Sequence, residues 1–281
     1  MELYLISLAT VAALNVMLAV GLNLISGFCG QISLGHAAFY GLGAYAAALA
    51  AVAGGPFVSN LAIGVAVAAF VGFIVGFISL RVRDDFLAIA TMGVGFLFLG
   101  FVRKQEWLGA EMGISRIPAP PLDRTGFAAL CVGLAVCVVA ISLHIGRSWM
   151  GRTLSAVAQD EDAARSVGVN VPRFKLAAFT IGTAAAGLAG GLYAYLTQLI
   201  VPDAFNFIQS ITILAMVVIG GIGSTWGAVA GAIILTLVPE AFRFINDYKL
   251  LVYGVLLLVI MRFANGGIAG IVGAIIGRLR S

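Results

Sequence analysis

The sequence predicts an all-α polytopic membrane protein of about eight to ten transmembrane helices, some of them broken at glycine-rich segments. Three observations carry the prediction. First, 62% of the 281 residues are apolar and 10% are charged, and the mean hydropathy is +1.10. A soluble domain is about half apolar and a quarter charged, so lipid rather than water must solvate this surface. Second, the apolar runs are roughly 15 to 25 residues long and show no strand-like alternation. A bilayer core takes about 20 residues per helix, and only helices or closed barrels satisfy their backbone groups in lipid. Unalternated runs select helices. Third, the stretch SGFCGQISLGHAAFYGLGAY at 26–45 interrupts the pattern with five glycines and with Gln31, Ser33 and His36.

The chain reads as one transmembrane domain, 1–281. The first span, 3–25, opens on MELYLISLAT, which has neither Lys nor Arg. The basic start of a secretory signal is missing, so direct, uncleaved insertion is expected. Spans 31–53 and 60–80 follow, with small residues at helical spacing: Gly43, Ala47 and Ala51 in one, Gly64, Ala68, Gly72 and Gly76 in the other. In lipid, helices associate by close backbone approach at such residues. Span 85–102 leads to a polar stretch, 103–124, and span 125–145 to a second, 146–173. Span 174–197 carries a third ridge, Thr183, Gly187 and Gly191, and is followed by 207–222, 226–243 and 249–264. Gly227 and Gly231 make a fourth ridge. The segments GQISLGHAAFYGLGA at 30–44 and GIGSTWGAVAGA at 221–232 both run Gly, Ser, Gly and then small residues. Paired breaks of this kind mark solute paths in transporters.

Charge sets the orientation. With 146–173 in the cytoplasm, Arg147, Arg152, Arg165, Arg173 and Lys175 fall inside, as do Arg81, Arg83, Arg262, Arg278 and Arg280. That places ten of the 16 basic residues inside, in keeping with the positive-inside rule, and the N-terminus outside. Cys29, Cys131 and Cys137 lie in apolar runs without metal-ligand spacing and read as small core residues.

No catalytic pattern is present. There is no GxSxG, no phosphate-binding GxxxxGK[ST], and no ligand spacing around His36 or His144, so neither metal nor nucleotide is expected on this chain. Asp84, Asp85, Glu106, Glu111, Asp123, Asp203 and Asp247 all fall at or beyond span ends, which leaves His36 as the one candidate proton relay. Uphill transport would then draw its energy from another chain. The loop 152–172 predicts two short helices. In RTLSAVAQ, Leu154 and Val157 share a face. Asp160 then N-caps EDAARSV, Gly168 ends it in a left-handed conformation, and Pro172 prevents its resumption. Such a compact unit suits insertion into a partner's groove. The alternative is a helix lying on anionic headgroups, and the acids Asp160, Glu161 and Asp162 oppose it.

Other polar and aromatic residues carry two readings. Gln31, Ser33 and His36 either line a solute path or satisfy carbonyls freed by the glycines. Ser224 and Trp226 stand at the second break, with a core role as the alternative for Trp226. Glu240 and Arg243 read as a snorkelling pair, Asp203 as a helix cap, and Tyr193, Tyr195 and Trp107 as interfacial aromatics.

Three blocks carry a family resemblance: GLNLISGFCGQISLGHAAFYGLGAYAAAL at 21–49, AVAQDEDAARSVGVNVPRFKLAAFTIGTAAAGLAGGLYA at 156–194, and VPDAFNFIQSITILAMVVIGGIGSTWGAVAGA at 201–232. Together they resemble the LivM-like permease subunits of branched-chain amino acid ABC importers. The resemblance implies an ABC importer permease fold, not an enzyme, in the bacterial inner membrane. It also implies a paralogous second permease, two cytoplasmic ATPases that hold ATP and Mg, and a periplasmic solute-binding protein, with no role for nucleic acid. Asp160, Glu161, Ala163, Ala164 and Gly168 take the ATPase-coupling role by position, beside Leu154 and Val157. The chain departs from the family at Gly95-Phe96, where a Gly-Glu pair is common, in the outer loop LGAEMGISRIPAP, and at Asn265-Gly266. Branched-chain amino acids lead as solute, with urea, short amides and aromatic acids as alternatives of the same family. An ion-coupled carrier working through His36 and a passive facilitator are the readings from other classes.

Overall fold

The computed structural model describes residues 2–79 and 84–241, together with residues 254, 267, 268 and 270. Within them the chain forms α1 (Glu2–Leu22), α2 (His36–Val52), α3 (Phe57–Ser79), α4 (Asp84–Lys104) and α5 (Arg124–Arg147). Two short helices, α6 (Trp149–Gln159) and α7 (Glu161–Ser166), precede α8 (Val171–Thr197), α9 (Phe207–Gly220) and α10 (Thr225–Ala241). Six helical segments are long and apolar enough to cross a membrane, while α2 and α10 are shorter apolar helices. The protein is an all-helical, multi-pass membrane protein. Of the ninth sequence-predicted span, 249–264, only Gly254 lies within the described residues.

The small-residue ridges mesh. A Cβ on Gly43 would collide with the backbone of Gly187, and one on Gly187 with Ala68 and the Gly64 carbonyl. Gly72 closes on Thr183, and Gly191 on Leu61 and Ala47. Helices α2, α3 and α8 therefore pack backbone to backbone as one block, as lipid-phase association requires. In the same way α9 and α10 close through Gly220 on Gly227 and Gly231 on Met216. Helix α1 joins the two units: Gly21 backs onto Gly182 of α8, and Asn15 Nδ2 donates to Thr236 Oγ1 of α10 at 2.8 Å. Phe70, Phe73 and Phe77 of α3 and Leu97 and Phe101 of α4 point outward, an apolar surface suited to lipid.

Caps fix the helix starts. Ser148 accepts from Gly151 N at the head of α6, Asn170 from Arg173 N at that of α8, and Asn206 from Gln209 N at that of α9. Pro172 sits in the first turn of α8, where its missing N–H costs nothing. It therefore opens this helix as well as ending the previous one. Asn206, not Asp203, is the cap before α9; Asp203 instead pairs with the Arg103 guanidinium across the outer loops. Tyr195 is buried, accepts from Asn60 Nδ2 at 2.8 Å and stacks edge-on against Phe57, so it is a packing residue rather than an interfacial one. Cys29 and Cys131 are buried as expected, whereas Cys137 is exposed on the outer surface of α5.

Candidate functional site

Helix α1 does not end at Leu22 but loosens into a π-helical turn, Asn23–Phe28, after which residues 29–35 are non-helical. The turn's polar groups pin the exit: Ser26 Oγ donates to the Gln31 carbonyl at 2.9 Å, and Gln31 N donates to the Ile25 carbonyl at 3.2 Å. Gly30, at φ +75°, turns the chain against Ala158 of α6. The strand of chain then climbs back to α2. Leu34 N donates to Thr91 Oγ1 of α4 at 3.0 Å, and Ala37 N to Ser210 Oγ of α9 at 3.1 Å. Helix α2 starts beside Gly21, which packs on Gly182, about 16 Å along α8 from its first residue. The break thus lies at membrane depth, where every freed backbone group needs a partner.

Gln31, Ser33 and His36 are all buried. Among the described residues Gln31 Oε1 and Ser33 Oγ have no hydrogen-bond partner, while the His36 ring lies against the Leu18 backbone. Asn23, Ser26, Thr91 and Ser210 hold backbone groups freed at the breaks. Their sequence signal is an isolated polar residue inside an apolar run, which is costly in lipid without a purpose.

The second break, 221–224, lies against the first. Gly223 N donates to Asn23 Oδ1 at 2.9 Å, and a Cβ on Gly27 would strike Gly223 N. Gly221 and Gly223 both hold positive φ, which only glycine adopts freely, and Ser224 Oγ then accepts from Gly227 N at 3.1 Å to start α10. Next to it Thr225 Oγ1 and Ser142 Oγ of α5 share a hydrogen bond of 3.0 Å. Ser224 is thus a cap. Trp226 departs further from its sequence reading: it is 65% exposed on the outer apolar surface, among residues of α1, α5 and α10, and joins neither the core nor the break.

Beneath the first break sit α6 and α7. Leu154 packs with Leu24, Phe28, Cys29, Ile145 and Ala178, and Val157 and Ala164 with Val171. These three residues point inward and seat the loop on the bundle. Asp160 caps α7 as predicted, accepting from Asp162 N and Ala163 N at 3.0 Å each. Gly168, at φ +86°, closes the helix: its N–H donates to the Arg165 carbonyl at 3.0 Å and Val169 N to that of Ala164 at 3.1 Å, a Schellman motif. Glu161 turns toward the bundle and pairs with Lys175, a lysine only 6% exposed at the start of α8, while also bonding Arg165 at 3.1 Å. Asp160, Asp162, Ala163, Arg165, Ser166, Val167 and Gly168 are exposed.

Above the breaks, toward the N-terminal end of α1, lies a cavity of about 490 Å³ between α1, α9 and α10, floored by Tyr40 and Tyr193. Tyr193 belongs to this aromatic floor, with Tyr40 and Phe205 at 5.4 and 5.9 Å between ring centres, and not to a lipid interface. Glu240 stands in the cavity wall, where Tyr4 OH donates to its Oε1 at 2.5 Å. Arg243, its sequence-predicted partner, lies outside the described residues. Among the described residues no group of His, Cys, Asp and Glu could hold a metal ion.

The architecture matches known proteins at the level of sequence. The family described as branched-chain amino acid transport system permease components matches residues 4–261. The high-affinity branched-chain amino acid transport permease LivM of Escherichia coli (strain K12) is 34% identical over 297 aligned positions, covering 94% of this chain and 69% of that protein. LivH of Salmonella typhimurium is 33% identical over 138 positions, 48% of this chain and 44% of that protein. A probable LivM of Methanocaldococcus jannaschii is 23% identical over 236 positions, covering 74% and 68%. No solved structure matches significantly. With its matched residues spanning α1 to beyond α10, the chain belongs to the family of branched-chain amino acid transport permease components.

Proposed function

We propose that this chain is one of two permease subunits of an ATP-driven importer in the bacterial inner membrane, moving branched-chain amino acids delivered by a periplasmic binding protein. The second permease is a LivH-like paralogue, since this chain also resembles LivH across 48% of its length. ATP and Mg are held by two cytoplasmic ATPase subunits, and this chain supplies no hydrolytic group of its own. The observation that carries the reading is the seating of the loop helices on the break. Leu154 of α6 packs on Leu24, Phe28 and Cys29, and Gly30 lies so close to Ala158 of α6 that a Cβ there would press on it. A push on the outward face of α6 and α7 is thereby delivered to the one place where α1 and α2 are not held by a helical ladder. Closely packed interiors transmit such a displacement instead of absorbing it. Lys175 and Glu161 extend the same link to α8.

The test is transport in vesicles containing both permeases, both ATPases and the binding protein. ATP inside the compartment that holds the ATPases should drive leucine uptake, and omission of the ATPases should abolish it. Uptake driven by a proton or sodium gradient alone would contradict the proposal and favour the ion-coupled reading, for which His36→Ala would be the decisive variant.

A further inference from the structure

We infer that the cavity between α1, α9 and α10 is the outward-facing solute site, in which Glu240 receives the α-ammonium of an aliphatic amino acid. The inference rests on the importer reading above and adds to it a place and a chemistry.

One face of α1 points into the cavity. Tyr4, Ser7, Leu8, Val11, Leu14 and Asn15 line it, and their spacing follows the helical repeat along a single stripe. That stripe is mixed: it carries the polar Tyr4, Ser7 and Asn15 of a mostly apolar span. The facing walls repeat the mixture, with Gln209, Thr212 and Met216 from α9 and Leu235, Thr236 and Glu240 from α10. Polar and ionisable side chains at membrane depth face a water-filled path or each other rather than lipid. Here they converge from three helices on one space. Its volume falls within the range of small-molecule sites, about 300–1,000 Å³.

The chemistry is specific in kind. Among the described lining residues the sole formal charge is the Glu240 carboxylate, held in place by the Tyr4 hydroxyl at 2.5 Å. A fixed carboxylate selects a cationic group, and a primary ammonium presents three donors to it and to the neighbouring hydroxyls. The Gln209 amide supplies donors for a carboxylate. Leu8, Val11, Leu14, Met216 and Leu235 supply the apolar wall that an aliphatic side chain needs. A neutral solute such as urea would hydrogen-bond Glu240 without the opposite charge that strengthens an ammonium's bonds to it. The floor is also informative. Tyr40 lies one turn into α2, past the first break, and α9 runs from the Gln209 wall down to the second break. Displacement of either break therefore moves the floor or a wall of the cavity, which is the motion a site must undergo to release its solute inward.

The test uses the complete reconstituted importer and measures both leucine uptake and ATP hydrolysis stimulated by leucine-loaded binding protein. Glu240→Gln should lower uptake at least tenfold while the stimulated hydrolysis stays within twofold of wild type, and Glu240→Asp should recover part of the uptake. Uptake within twofold of wild type in Glu240→Gln would overturn the assignment. Loss of hydrolysis together with uptake would mark a structural role and overturn it too. Should Glu240→Gln fail to assemble, Val11→Trp puts bulk into the same cavity from an exposed position of α1. It should block uptake in an assembled complex, and undiminished uptake would overturn the site. Failure of the wild-type complex to import any amino acid with ATP is a different outcome, since it removes the importer reading itself.

Discussion

The hydroxyl of Thr91 takes over, for the amide of Leu34, the part that a carbonyl one turn back plays inside a helix. It accepts that N–H at 3.0 Å while donating to the Ala88 carbonyl at 3.0 Å, and it is fully buried. Thr91→Val keeps the shape and removes the acceptor. Leaving a buried amide unpaired costs about 1–3 kcal/mol, so the variant should unfold at lower temperature in detergent, and Thr91→Ser should restore most of the loss. Glycine at a helix crossing behaves in the same all-or-none fashion. Gly43→Ala drives a methyl into the Gly187 backbone, at a cost of about 1–3 kcal/mol. Gly133→Ala meets nothing within 4 Å and should be neutral or stabilising by up to about 1 kcal/mol. The same thermal-melt series checks both. Ridge glycines are legible in sequence because their spacing repeats every turn. The partners of the break are not, because Thr91 and Ser210 lie 57 and 173 positions from the amides they satisfy. Gln31, Ser33 and His36 stand out in the sequence by polarity alone, and only tertiary placement reveals which polar groups close the backbone.

At the scale of the element, the α6–α7 unit was readable because its signals are local. Asp160, Gly168 and Pro172 act within four residues of themselves, so cap, stop and restart follow from sequence alone. Asp160→Ala removes acceptors for two amides and should cost about 1 kcal/mol, whereas Asp160→Asn retains a capping oxygen and should cost little. Because α7 is short, the loss should appear as faster amide exchange across 161–167, with exchange in α8 unchanged. What local signals could not decide is which face of the unit meets the bundle. Leu154, Val157 and Ala164 share an apolar face that suits either a partner's groove or this chain's own helices. Residues 24–29 and 171–178 compete for that face and win it. Glu161 shows the same ambiguity in charge: an acid beside two others reads as exposed, yet it is drawn inward by Lys175.

For the molecule as a whole, the all-helical, multi-pass character follows from composition and run length, because bilayer thickness constrains them directly. The meeting of the two breaks does not follow, since it brings together Asn23 and Gly223, 200 positions apart. Once they meet, the protein has three tiers: a cavity, a pair of breaks, and a seated pair of loop helices. Tiers connected by packing make the direction of force testable from its entry point. Val167 is 78% exposed at the end of α7, beside a groove lined by Trp149, Val169, Arg173 and Phe174. Val167→Arg touches nothing inside the bundle, and its charge suits a helix C-terminus, so chain stability should stay within about 0.5 kcal/mol. If the ATPases push there, the variant should lose their co-purification and at least tenfold of ATP-driven uptake. Ala164→Arg, on the buried face, should instead unseat the loop and lower stability by about 2 kcal/mol or more. Stability of the purified complex separates the two effects. A Val167→Arg complex that retains its ATPases and imports at the wild-type rate would mean that force enters the bundle elsewhere, and the seating of α6 and α7 on the break would then be architecture without a part in transport.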